Sequence, residues 1–103
     1  MHEWKILTSR MGNDIRSPSR SQMLAVLDEL FSSKRDDEHP DCWLRCGSDE
    51  GSLDVVSVYQ SGRAEYVKYS DSDMTTELER RTLSVGSPAE ALALWEALKE
   101  DRI

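Results

Sequence analysis

The segment His39-Pro40-Asp41-Cys42-Trp43-Leu44-Arg45-Cys46 gathers one of the chain's two histidines and both of its cysteines. Metal or nucleophilic chemistry would be sought there first. A structural zinc takes four ligands in closed tetrahedral geometry. Beyond these three, only His2 or a carboxylate is left, and the second cysteine pair of a zinc ribbon is absent. Cys42 and Cys46 lie an even number of residues apart on a segment that reads as a strand, so both face one side, roughly 13 Å apart. That is too far for one ion or for a disulfide without bending the strand. Two buried or half-buried free thiols are expected, with no metal and no cofactor, in keeping with a reducing compartment.

Nucleophilic catalysis needs a nucleophile, a base and a group that orients the base. Serines are plentiful, but no Gly-x-Ser-x-Gly elbow occurs. His2 is terminal and His39 sits in a polar stretch, so no triad assembles and an enzyme is not expected. Asp71-Ser72-Asp73 opens like a calcium loop, yet its sixth and twelfth positions are Thr76 and Thr82, where Gly and Glu belong. Gly47-Ser48-Asp49-Glu50-Gly51 is acidic where a phosphate cradle would be neutral or basic. Arg10, Arg16 and Arg20 lack the interleaved aromatics of a single-strand binding platform.

The elements that would position these residues follow from the hydrophobic pattern. Residues 3–8 read as a first strand with Trp4 and Ile6 on one side, and 9–17 as a loop. Ser17-Pro18 reads as a cap and first helical position. The stripe Met23, Leu27, Leu30 and Phe31, flanked by Leu24, then carries a helix to about Ser33. Lys34, Arg35 and Pro40 end it. Four strands are expected next: 42–46, 53–60, 64–70 and 77–85, joined by turns at 49–52, Ser61-Gly62 and 71–73. The last, with Glu77, Glu79, Arg80 and Arg81, reads as an edge or a strand with a wet face. Ser87-Pro88-Ala89-Glu90 is a capping box, and Ala91, Leu94, Trp95 and Leu98, beside Leu92, form a second helical stripe. The expected fold is therefore α+β. An antiparallel four- to five-stranded sheet, in the order β-α-β-β-β-β-α, carries two helices packed on it as a single domain over 1–103.

The chain has 103 residues and a formal charge of −7. Residues 1–35 carry four acids against six bases, residues 36–79 carry twelve against three, and residues 80–103 carry four of each. The deficit is thus −9 over the central strands. It argues against nucleic-acid binding, since phosphates are repelled, and suits a basic protein partner met by electrostatic steering. The first fifteen residues hold no apolar core of a signal peptide, and no stretch is apolar enough to span a membrane. A cytoplasmic protein is expected.

Taken together, an early amphipathic helix, a strand with Leu53-Asp54-Val55-Val56, a Gly-turned hairpin with Tyr66 and Tyr69, and the late helix Ser-Pro-Ala-Glu-Ala-Leu-Ala-Leu-Trp form a recognisable pattern. It resembles the small bacterial immunity proteins that neutralise polymorphic toxins of contact-dependent or secretion-delivered systems. The resemblance implies a sheet covered by helices, no catalysis, and tight binding of one cognate toxin domain. A nuclease or a deaminase would offer a basic cleft that an acidic partner can fill. The toxin-binding residues expected on this basis are Asp49, Glu50, Asp71, Asp73, Glu77 and Glu79, with Trp43 or Tyr69 as anchors. A non-catalytic adaptor or a secretion chaperone for a basic protein is the alternative.

Overall fold

The computed structural model describes residues 4–32, 41–48, 51–71, 73–74 and 76–100. Eight elements follow in chain order: β1 (Trp4–Thr8), β2 (Asp14–Arg16), α1 (Arg20–Ser32), β3 (Asp41–Gly47), β4 (Leu53–Tyr59), β5 (Arg63–Tyr69), β6 (Glu77–Ser84) and α2 (Pro88–Lys99). The strands form one antiparallel sheet in the order β2-β1-β3-β4-β5-β6. The α+β architecture with two helices agrees with the sequence reading. The strand count does not: among the described residues there are six, because residues 14–16 form a short strand within the stretch read as a loop. A three-residue strand with Ile15 as its one apolar member carries no period to read. It is held by a tight turn in which Gly12 adopts φ +84° and Ser9 N donates to Asn13 O at 2.9 Å.

Helix α1 also starts later than Ser17-Pro18 suggests. Ser17 has φ +48° and cannot serve as an extended cap. Ser19 caps instead: Gln22 N donates to Ser19 Oγ at 3.1 Å and Ser19 N to Gln22 Oε1 at 2.9 Å, a reciprocal capping box. The second box is where the sequence puts it. Glu90 N donates to Ser87 Oγ at 3.2 Å, Pro88 opens α2, and the Glu90 carboxylate turns back to accept from Gly86 N. The expected helix stop at Lys34, Arg35 and Pro40 lies outside the described residues.

Both helices lie on one face of the sheet. Met23, Val26, Leu27 and Leu30 of α1 and Ala91, Leu92, Trp95 and Leu98 of α2 bury against Leu7, Cys42, Leu44, Cys46, Val56, Val58, Ala64 and Tyr66. Trp95 is fully buried, and its indole N–H donates to Val56 O at 3.1 Å, so the largest core side chain also satisfies its one polar atom. Lys99 Nζ donates to Pro18 O at 3.3 Å, and Gln60 Nε2 to Leu30 O at 3.0 Å, tying the helix ends to the sheet layer and to each other.

Candidate protein-docking face

Strand residues alternate between faces, and residues opposite one another in register share a face. The helix-covered face therefore takes Cys42, Leu44 and Cys46 of β3, opposite Val58, Val56 and Asp54 of β4. The other face takes Asp41, Trp43 and Arg45, then Tyr59, Ser57, Val55 and Leu53, then Glu65, Val67 and Tyr69. No described helix covers it. It nevertheless holds buried apolar residues that are not part of the helix-side core: Leu53, Val55 and Val67 are 1%, 8% and 6% exposed. At the centre is a depression of about 440 Å³. Val55 and Val67 line it, with Trp43, Tyr59 and Tyr69 around them and Met74 alongside.

The backbone is shaped to this face. An ideal Cβ built on Gly47 would stand 2.7 Å from the Trp4 indole, so the ring lies directly across the position where any other residue would carry a side chain. Gly62 takes φ +92° in the turn between β4 and β5, its N–H donating to Tyr59 O at 3.0 Å, as the sequence leads one to expect.

Charges on the face come in opposed sets. The Arg80 guanidinium bridges Glu77 at 2.7 Å and Glu65 at 3.0 Å. Arg63 lies 4.3 Å over the Tyr59 ring and 3.9 Å from Glu65. Arg45 reaches Asp14 at 3.9 Å, and Asp14 accepts from Thr8 Oγ1 at 2.6 Å. The Arg45 Nε is buried without a hydrogen-bond partner. Burial raises the Asp41 carboxyl above its ordinary range.

The residues expected to bind a partner are distributed unevenly. Trp43 and Tyr69 line the depression, and Glu77 sits at its rim through Arg80. Glu79 lies in register with Lys68, which places it on the helix-side face, paired with Arg81. Arg81 in turn lies 5.4 Å from the Tyr66 ring centroid. Asp71 and Asp73 form the turn between β5 and β6, with Asp73 N donating to Asp71 Oδ1 at 3.1 Å. Asp49 and Glu50 lie outside the described residues. Tyr59, Arg63, Glu65, Arg80, Val55 and Val67 complete the face but were not foreseen. Their signal is present: strand 53–59 carries apolar residues at both parities, so both of its faces need cover, and two helices supply one.

Cys42 and Cys46 are buried free thiols on the helix-covered side, as expected. Burial, reinforced by Asp41 and Glu29 and opposed by Arg10, pushes the Cys42 thiol up to about 12, so it stays protonated and non-nucleophilic. Among the described residues no three His, Cys, Asp or Glu side chains converge as a metal site would require. Aromatics on an open sheet can also stack single-stranded bases, but such platforms keep uncompensated cations for the phosphates. Here Arg45, Arg63 and Arg80 each stand within 4 Å of a carboxylate. Among the described residues no helix is long and apolar enough to cross a membrane. Comparison with protein-family models, with curated proteins and with solved structures finds no match to this chain.

Proposed function

We propose that this chain is an immunity protein: a cytoplasmic, non-catalytic inhibitor that binds one bacterial toxin domain through the uncovered sheet face. The toxin would be a nuclease or another nucleic-acid-modifying enzyme, such as a deaminase, with a basic active-site cleft. The observation that carries the reading is the aromatic depression. Trp43, Tyr59 and Tyr69 stand around Val55 and Val67, framed by Arg–Glu pairs, on a face that no described helix covers. Rigid aromatics at the centre and charged groups at the rim are the composition of a protein interface rather than of a solvated sheet. Six strands ~4.8 Å apart, from three to eight residues long, give a flat footprint of roughly 590 Å². Side-chain relief brings that toward the ~800 Å² per partner of a standard complex.

Charge has a second role in this reading. Glu65, Glu77 and Glu79 are each matched to an arginine. Glu65 and Glu77 contribute geometry at the contact, Glu79 lies on the opposite face, and the net −7 of the whole chain draws a basic partner in from a distance. The test is to look for a large toxin-like protein encoded beside this chain and to co-express its C-terminal domain with it. Growth arrest by that domain alone and rescue by this chain are expected. A toxic neighbour whose action this chain does not relieve would refute the reading, and binding without relief would assign the face to an adaptor.

A further inference from the structure

The sheet ends at β6, and among the described residues no strand pairs with its outer edge. Val85 N donates to Gly62 O at 2.8 Å, in line with the register Ala64↔Leu83, Tyr66↔Arg81 and Lys68↔Glu79. Antiparallel ladders alternate, so beyond the bulge at the start of β6, Glu79, Arg81 and Leu83 direct their main-chain groups to β5. Arg80, Thr82 and Ser84 direct theirs outward. This is the longest strand of the sheet, and six of its eight residues are exposed, including Leu78 at 57%. Edges of this kind are usually protected by Lys, Pro or a bulge. β6 has no Lys and no Pro, and its one bulge sets Glu77 and Leu78 against Tyr69 at the start of the strand, leaving Glu79–Ser84 regular.

The charges on this edge are self-complementary. Glu77, Glu79, Arg80 and Arg81 cancel, in a chain whose net charge is −7. A second copy continuing the sheet antiparallel is related by a two-fold axis perpendicular to it, and opposed residues must share a face. With the axis at Arg80, Glu79 of each copy meets Arg81 of the other, Leu78 meets Thr82, and the outward groups of Arg80 and Thr82 enter the ladder. Shifting the axis by one residue either way sets Glu79 against Glu79 or Arg81 against Arg81. The two Arg80 side chains approach at the axis, but each is held by Glu77 and Glu65 of its own chain.

We infer that β6 is a self-association edge, pairing antiparallel with β6 of a second copy about Arg80 to give a continuous twelve-stranded sheet. Both helical layers then lie on one side and both uncovered faces on the other. The inference does not depend on the proposed function.

Sedimentation velocity of the full chain over a concentration series tests it. A monomer–dimer equilibrium is expected, reaching twice 11.8 kDa. Thr82→Pro removes an outward N–H without touching the bonds to β5, and should leave a monomer with a native circular dichroism spectrum. Glu79→Arg and Arg81→Glu, taken singly, should each weaken the dimer on the order of tenfold because the contact occurs twice. The double swap should restore it. A wild-type chain that stays monomeric to its solubility limit overturns the inference. So does a dimer indifferent to both single reversals, which also decides the matter if Thr82→Pro does not fold.

Discussion

Tyr66 and Asp54 sit side by side on the helix-covered face, 3% and 6% exposed, with the phenol donating to Asp54 Oδ1 at 3.2 Å. Burial, then the Asp54 carboxylate, pushes the phenol from 10.0 up to about 12. A folded pKa above the unfolded one means that this group's contribution to stability is complete below pH ~10 and is lost as pH rises through about 12. Ultraviolet titration should therefore show a late phenol that is absent in Tyr66→Phe. That variant leaves Asp54 one donor short and should cost about 1–2 kcal/mol in urea unfolding. The buried thiols give a second residue-level check. Cys42 and Cys46 should resist a disulfide-exchange reagent in the native state at mildly alkaline pH, and both should react on unfolding. Their common orientation was readable from spacing alone. The partnership of Tyr66 with Asp54 was not, since it links residues twelve apart across two strands and depends on register.

At the scale of elements, legibility followed periodicity and capping. Helix α2 could be read almost to the residue because Ser87, Pro88 and Glu90 make a local signal that tertiary packing leaves intact. Ser87→Ala should lower stability by about 1 kcal/mol in thermal or urea unfolding, with the fold retained. Helix α1 shows how the same logic can slip. Two serines flank Pro18, and the one that caps is Ser19, because Ser17 is diverted into φ +48° where the chain leaves β2, its N–H donating to Lys5 O. Strand β2 was hidden because it borrows its stability from β1, not from a pattern of its own. The candidate face was half legible. Trp43 and Tyr69 were singled out as anchors and line the depression. Arg63, Glu65 and Arg80 acquire their roles only when β4, β5 and β6 are laid side by side.

Considered as a whole, the molecule separates two roles that the sequence merges into one acidic segment. Twelve acids between residues 36 and 79 suggest a single negative surface. Of those described, Glu65, Glu77 and Glu79 are matched to arginines, Asp41 lines the depression, Asp54 is buried, and Asp71 and Asp73 shape a turn at one end of the face. On the proposed reading, the net charge governs how quickly a basic partner arrives, while the aromatics govern how long it stays. Reversing Asp71 and Asp73 to Lys should slow association and flatten its salt dependence, with dissociation little changed, in stopped-flow measurements at low and moderate salt. The central claim is that the partner seats on the uncovered sheet. It is tested most directly by calorimetric titration of a toxin domain whose action this chain relieves with wild type and with the Trp43→Ala/Tyr69→Ala double variant. A native circular dichroism spectrum and a loss of affinity of about a hundredfold or more are predicted for the variant. Unchanged affinity from a folded variant would contradict it.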